Sequence, residues 1–501
     1  MSPYLLGIDS GLTVTKSVVF DEEGLERGKG SANNVHLSPH PRWVEQDMDK
    51  VWENCQEAIR QALNEAGVGG DEITGVGLAG HGDGVYLVDE GGNPIRPGVL
   101  SLDSRAHQVL DRWQESGVLK RALELNGQVP FAALSATLLA WFKENEPETL
   151  ERTRWILYVK DWLRYKLTGE YATDSTEASG GFTDVNTQEY SDEAFPLYGL
   201  EEARGKLPPV VGCTEVMGTV TREAAEATGL REGTPVVTGA HDVDVSSIGS
   251  GSIEPGQLTM IAGTWSINEV ISDAPVLNEG WACRNFVMPG LWMNMSASPA
   301  SATNLEWFVQ RLSPLEVQRA EERGTSPFEF VNEEVRDVLD EKSRVFYHPF
   351  LYGSPYGDAA TAGFFGLRGW HRRGHLLRAL FEGTVFNHKS HVDALRSGFE
   401  VTRVRLTGGG SRSELWSQMF ADALGTTVEV TEAGEAGALG AAVCLGIGTG
   451  VYSSLEDATG RVDRLLRTHE PDPESHDRLA EAYETYTALA EALEPVWPRL
   501  G

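Results

Sequence analysis

Apolar residues at the start of the chain cluster in two short runs separated by small and polar ones, which predicts a pair of strands joined by a tight turn. Tyr4-Leu-Leu-Gly-Ile-Asp9 reads as a buried strand, Ser10-Gly11-Leu12-Thr13 as the turn, and Lys16-Ser-Val-Val-Phe20 as the returning strand. Asp21-Glu-Glu-Gly24 supplies the next polar turn. From about Gln46 to Ala66 the period becomes helical, with Val51, Trp52, Cys55, Ala58, Ile59, Ala62, Leu63 and Ala66 on one face. Gly67 and Gly69-Gly70 end that helix, and an apolar strand over 73–79 follows. Strand, strand, helix, strand is an α/β order.

The middle of the chain predicts helices near 103–116, 134–145 and 155–167, then a strand into Gly239. Beyond it the opening pattern returns. Leu258-Thr-Met-Ile-Ala262 and Trp265-Ser-Ile-Asn-Glu-Val-Ile271 flank the turn Gly263-Thr264. Arg403-Val-Arg-Leu-Thr407 is a further strand, running into Gly408-Gly-Gly410 and a helix. Gly249-Ser-Gly-Ser252 and Pro255-Gly256 break regular structure, so the reading divides the chain into domains 1–248 and 249–501. Two similar halves would face each other across a cleft, a common place for a ligand. A last helix over 474–493 carries Leu479, Ala482, Tyr483, Tyr486, Leu489 and Leu493 on one face and is expected to pack on the second half.

Composition narrows the function. With 501 residues and 41% hydrophobic residues the chain has material for more than one core. A formal net charge of −32 repels phosphate backbones and excludes nucleic-acid binding as the working reading. The acid excess, with Arg outnumbering Lys, fits either a general solubility surface or a salt-rich habitat. Cys55, Cys213, Cys283 and Cys444 lie far apart and form neither a disulfide framework nor a zinc pattern. No basic leader and no long apolar stretch is present, so the expectation is a soluble, cytoplasmic protein without membrane contact.

Several turns carry chemistry. Asp9 ends the first strand beside the turn that holds Gly11, and turn N–H groups make an anion-binding concavity. Thr13 and Thr15 add hydroxyl donors and Lys16 a positive charge; a carboxylate next to a phosphate calls for a bridging Mg²⁺. Gly263-Thr264 is the matching turn of the second half, and Gly409, Gly410 and Ser411 let a flat ligand or phosphate approach a helix N-terminus. Each is also readable as an ordinary turn. Glu435-Ala-Gly-Ala-Leu-Gly-Ala-Ala442 opens a helix whose small residues permit close packing against another helix or a nucleotide, and core packing is the preferred reading. In His241-Asp242-Val-Asp244, Asp242 is the carboxylate chosen as general base, because transfer to an alcohol needs a group to accept its proton. Its plain alternative is a helix cap. Asp244 is the less favoured candidate. His81, Asp83, Asp103 and Arg105 offer the mixed donors and acceptors that suit a polyol, or else turn chemistry and a surface ion pair.

Ala362-Gly-Phe-Phe-Gly-Leu367 followed by His375-Leu-Leu-Arg-Ala-Leu-Phe-Glu382 resembles the C-terminal signature of the FGGY carbohydrate kinases, within the actin/hexokinase-like ATPase superfamily. Gly7-Ile-Asp-Ser-Gly11 through Lys16, Lys160-Asp-Trp-Leu-Arg-Tyr-Lys-Leu-Thr-Gly-Glu170, Gly239-Ala-His-Asp242, Gly263-Thr264 and Leu406-Thr-Gly-Gly-Gly-Ser-Arg412 are similar to the family's other motifs, in family order. The resemblance implies two ribonuclease-H-like (actin-like ATPase) domains with a cleft between them, ATP and Mg²⁺, and a sugar substrate. It places Asp9 near metal and phosphates, with Asp242 as base and second candidate metal ligand. Thr264 falls at the nucleotide phosphates, Gly409, Gly410 and Ser411 at the adenosine side, and His81, Asp83 and Asp103 near the sugar.

Leu12 departs from the family's first turn, which carries a hydroxyl there. The loop Gly80–Asp89 is unlike the glycerol kinase pattern and closer to the L-xylulose kinase branch, while His241-Asp242 is similar to erythritol kinases. The expectation is therefore phosphorylation of a terminal hydroxyl of a ketopentose, with a tetritol as alternative and a homodimer as a possible assembly. Rivals of another class are a nucleotide-gated clamp, which needs no base opposite a polyol pocket, and a silent sugar sensor, against which the retention of Asp9, Asp242 and Thr264 argues.

Overall fold

The structure, a computed structural model, describes residues 4–254, 256–357 and 359–500. Met1–Pro3 and Pro255, which entered the reading of the N-terminus and the domain boundary, lie outside the described residues. The chain divides into two compact units. The first comprises Met1–Ile253, Ile271–Asn294 and Glu435–Asp463; the second comprises Glu254–Val270, Met295–Gly434 and Arg464–Gly501. A single cut at 249 does not describe this division, because two later segments return to the first unit.

In the first unit, β1 (Tyr4–Ser10) pairs antiparallel with β2 (Val14–Phe20), and β2 with β3 (Glu26–Asn33). The chain then passes through β4 (Glu45–Gln46) and the helix α1 (Met48–Ala66) to β5 (Ile73–Gly80), which pairs parallel with β1. Pro235–Val237 lies parallel on the far side of β5, and Val216–Thr219 closes the edge antiparallel. α1 forms where the apolar face predicted it. Asp47 caps its start by accepting from the N–H groups of Asp49 and Lys50, and Gly67, at φ 68°, ends it. It sits close on β3 because Gly28 and Gly30 have no side chains: a Cβ on Gly30 would stand 2.1 Å from Ala58 O.

The sheet's other face carries the helix Ala436–Gly448, and its small residues are used for contact. A Cβ on Gly7 would lie 1.9 Å from Ala438 O, and one on Gly77 2.0 Å from Ala441 O. Core packing was the expectation for this segment, but within the second half; the structure places it in the first unit. The middle helices run over His107–Ser116, Val118–Asn126, Ser135–Asn145 and Val159–Thr168. They start later than predicted at the third site, since Trp155–Leu157 is a strand pairing with Tyr86–Val88.

The second unit repeats the opening plan. Gln257–Ala262 and Ser266–Ser272 form an antiparallel pair, Arg403–Thr407 joins Gln257–Ala262 in parallel, Thr427–Thr431 follows in parallel, and Leu465–His469 ends the order antiparallel. The strand order around each hairpin is thus the same, the ribonuclease-H-like order in both units. The helix Pro473–Leu493 packs here through Leu479, Tyr486 and Ala490. Among the described residues no helix is long and apolar enough to cross a membrane.

Candidate active site

Parallel pairing brings three strand ends to one edge of the first sheet. Asp9 and Ser10 stand level with Ala79 and Gly80 of β5, and the short strand Ala240–His241 pairs with the same Ala79 and Gly80. The residues that leave these ends are Gly11, His81 and Asp242. The carboxyl ends of parallel strands are where open α/β sheets bind ligands.

Asp9 is packed under the helix Ala436–Gly448: a Cβ on Gly437 would come within 2.5 Å of its Oδ2. Its Oδ1 is buried without a hydrogen-bond partner. Burial raises its proton affinity, the opposed Lys16 lowers it and Glu435 raises it, leaving a pKa of about 6. Lys16 Nζ lies 2.5 Å from Glu435 Oε2. Thr13 is exposed beside it. Thr15, by contrast, is buried, its hydroxyl 3.0 Å from Ser10 Oγ and bonded to the Asn34 amide, so it braces the hairpin from within. Leu12 packs against the first unit's core, which accounts for an apolar residue in that turn.

Asp242 is the first residue of the helix Asp242–Gly249, and the cap position belongs to His241. Its side chain keeps 28% exposure. Burial pushes its pKa up to about 7, with His241 opposing and the Asp9 charge adding to the rise. The His241 ring lies between two carboxylates: Nε2 is 3.4 Å from Asp242 Oδ1 and Nδ1 is 3.3 Å from Asp244 Oδ2. Asp244 is fully buried, and burial holds its carboxyl well above the usual range. The His241 N–H donates to Thr176 Oγ1 at 2.9 Å, and Thr176 in turn bonds Asp174. Asp174 pairs with Lys160, which also lies 2.8 Å from Asp161. The buried charges of the Lys160–Glu170 motif therefore fix the backbone that presents Asp242.

His81 and Asp83 belong to the same edge. His81 N–H donates to Ser10 O at 3.0 Å, and burial lowers the His81 pKa to about 4, keeping it neutral. Asp83 accepts from Arg284 Nη2 at 3.0 Å. Asp103 and Arg105 form a separate buried cluster. Arg105 Nε donates to Asp103 Oδ1 at 2.9 Å, its Nη2 to Glu45 Oε1 at 2.7 Å, and its guanidinium lies 3.8 Å from the Trp43 ring centre. Asp103 Oδ2 also accepts from the Val44 N–H at 2.7 Å. These two residues brace β4 and the Trp43 loop.

In the second unit, Gly263 and Thr264 leave the end of Gln257–Ala262, with Thr264 exposed. Gly263 O accepts from the Ala302 N–H at 3.0 Å, and Thr264 O accepts from Thr303 Oγ1 at 3.2 Å. Gly408, at φ 84°, turns the chain off the adjacent strand, and Gly410 fits against Ala262, where a Cβ would stand 2.7 Å from its Cβ. Ser411 Oγ donates back to Gly408 O at 2.8 Å, leaving Gly409 open. The two glycine turns thus adjoin within one unit.

Sequence reasoning missed Glu435, Gly437, Gln128 and Arg284. Gln128 lies in the first unit's main segment, whereas Arg284, Glu435 and Gly437 join that unit from later segments. Glu435 and Gly437 fall in the stretch read as a packed core helix, and no local pattern marks Gln128 or Arg284. Among the described residues no group of three or more His, Cys, Asp and Glu side chains forms a metal cage. Mg²⁺ does not require one, since it is commonly held by one or two carboxylates and the substrate phosphates. Asp9 with an unpartnered oxygen, and Asp242 nearby, fit that demand.

Two ribonuclease-H-like sheets, one with a carboxylate on its hairpin and one with a Gly-Thr hairpin, give the chain the fold of the actin-like ATPase class. Family models narrow this: the N-terminal domain of the FGGY family of carbohydrate kinases matches residues 4–249, and the C-terminal domain matches 258–448. The chain belongs to the FGGY family of carbohydrate kinases. It is 34% identical to the L-xylulose/3-keto-L-gulonate kinase of Escherichia coli K12, over 100% of this chain and 99% of the relative. It is 32% identical to a probable L-xylulose kinase of Pasteurella multocida, over 98% and 99%. The crystal structure of a xylulose kinase from Rhodospirillum rubrum superposes with a TM-score of 0.85 at 26% identity, covering 99% of each chain. The protein is a phosphotransferase acting on a sugar, with ATP as the second substrate.

Proposed function

We propose that this kinase phosphorylates a terminal hydroxyl of a ketopentose of the xylulose or ribulose type, with Asp242 as general base. The observation that carries the reading is the Asp242 carboxyl: partly exposed, held by burial at about 7, and flanked by His241 and the Asp9 charge. A base with that proton affinity is half-ionised near neutral pH and accepts a proton as readily as it gives one up. The names of the xylulose-type relatives support the substrate class.

In the proposed reaction, the substrate hydroxyl donates its proton to Asp242 as its oxygen attacks the γ-phosphorus of ATP. The P–O bond to the β-phosphate breaks, ADP leaves, and the proton remains on Asp242 until solvent takes it. His241 holds Asp242 in place, and His81 and Asp83 hydrogen-bond the sugar. Asp9 and Asp242 would hold Mg²⁺, which when bound supplies neutralisation of the phosphate oxygens. Gly11, Thr13 and Lys16 offer donors on the same hairpin. Thr264 and Gly263 serve the nucleotide phosphates, and Gly409, Gly410 and Ser411 the adenosine side, in the second unit.

The test is ADP release measured against a panel of ketopentoses, ketohexoses and tetritols. Ketopentoses should stimulate release most, and a tetritol preference would overturn the substrate class. Asp242→Asn should lower turnover by roughly 10²- to 10⁴-fold while ATP binding, followed by calorimetry, persists. Full turnover in that variant would remove Asp242 from the role.

A further inference from the structure

Asp83 has a backbone that side chains seldom adopt. Its φ is 61°, in the left-handed region, and it stands between two glycines. Neither glycine tolerates a side chain: a Cβ on Gly82 would lie 2.4 Å from His241 Nε2, and one on Gly84 2.1 Å from Val99 O. The loop is pressed against the residue that precedes Asp242. Strain of this kind persists where the surroundings over-determine it, and it concentrates at binding sites.

What the strained carboxylate meets is Arg284. Nη2 of Arg284 lies 3.0 Å from Asp83 Oδ1 and 3.3 Å from Oδ2, and Nε donates to Gln128 Oε1 at 2.9 Å. The side chain is 3% exposed. Its strand, Ala282–Asn285, is tied down on both sides: Cys283 N–H donates to Gly127 O at 2.8 Å and Asn285 Nδ2 to Ser175 O at 3.0 Å. Arg284 is also near enough to His241 and Asp244 for its charge to affect both. Three of the five guanidinium donors belong to Nε and Nη2, which the protein engages; the two of Nη1 make no hydrogen bond to the described residues.

We propose that Arg284, presented by Asp83 and Gln128, is a specificity-determining residue of the sugar site. Its Nη1 edge donates to a sugar oxygen while Asp83 accepts from a neighbouring hydroxyl. The pair selects a neutral sugar over the corresponding sugar acid. Asp83 already compensates the guanidinium, so a substrate carboxylate would add uncompensated negative charge. A hydroxyl, which donates and accepts, meets both members of the pair. This inference rests on the kinase reading above.

The plain alternative is that Arg284–Asp83 is an internal ion pair that only anchors Ile271–Asn294 to the first unit. The two are separated by Arg284→Gln, Arg284→Lys, Asp83→Asn and the uncharged double variant Asp83→Asn/Arg284→Gln, all in the full chain. Arg284→Gln should raise the KM for ketopentose by roughly 10- to 100-fold and leave the KM for ATP within about twofold. Arg284→Lys should not restore it, because an ammonium lacks the planar fork. Asp83→Asn uncovers the guanidinium charge and should shift the kcat/KM ratio toward the sugar acid by roughly tenfold. The double variant should recover the melting temperature without recovering the KM. Recovery of both would overturn the proposal, as would a KM that follows melting temperature across the set; if Arg284→Gln does not fold, the double variant and Arg284→Lys decide. An unaltered enzyme with no ketopentose-stimulated ADP release would instead overturn the ketopentose reading itself.

Discussion

Burial and the nearby Asp9 charge hold the Asp242 carboxyl at about 7, against about 4 for an exposed one, so its ionisation costs the folded state free energy. Two consequences follow with opposite sign. Catalysis needs the ionised form, so kcat/KM for the sugar should fall as pH drops through about 7; a profile flat down to pH 5 would show that another group takes the proton. Stability runs the other way. A carboxyl whose folded pKa is raised favours the fold below its unfolded pKa, and that contribution is lost as pH rises through the folded value. Asp242→Asn should therefore gain stability on the order of 3 kcal/mol above pH 7, and the gain should shrink toward zero near pH 4. Thermal melts at pH 8 and pH 4 check this. A variant that is inactive yet more stable at pH 8 than its parent is the expected signature of a strained functional carboxylate.

Elements place these residues, and the helix Ala436–Gly448 has the tightest fit. A Cβ on Gly440 would stand 1.8 Å from Val245 O, in the helix that begins with Asp242. Gly440→Ala should therefore cost about 1–3 kcal/mol or more and lower activity by displacing Asp242. Gly460, in the helix Leu455–Val462, has no heavy atom within 4 Å of such a Cβ. Gly460→Ala should leave activity intact and add up to about 1 kcal/mol through helix propensity; melts of both variants separate crowding from propensity. The period and composition of these elements were legible in the sequence: α1 formed on its predicted face, and both hairpins carry the expected turns. Their destination was not. Ala436–Gly448 and Ile271–Asn294 return to the first unit after the second has begun, and nothing local records a return. For the same reason Arg284 and Glu435 are absent from the residues the sequence proposes for the site, Asp9, His81, Asp83 and Asp242 among them. Asp103 and Arg105 show the converse limit. A carboxylate and a guanidinium two residues apart suit a sugar or each other equally well, and only burial reveals the second use.

At the scale of the whole molecule the surface charge governs behaviour that no single pair explains. The formal net charge is −32, with 74 acidic against 42 basic Lys and Arg residues spread along the chain. Many ion pairs on the surface join exposed partners, such as Arg112–Glu144 and Arg222–Glu226, and pairs of that kind contribute little and weaken with salt. The buried pairs Arg105–Asp103 and Lys160–Asp161 are shielded from it. Added salt thus removes little attraction at the surface while relieving the repulsion among surplus carboxylates, whose range shrinks from about 30 Å at 0.01 M to about 3 Å at 1 M. The melting temperature at pH 7.5 should therefore rise steadily with NaCl between these limits. The same series at pH 5, near the sequence pI of about 4.7, should be much flatter, because the surplus charge is then mostly neutralised. Equal slopes at the two pH values would show that salt acts through solvation of the apolar core, and would remove net charge as the cause.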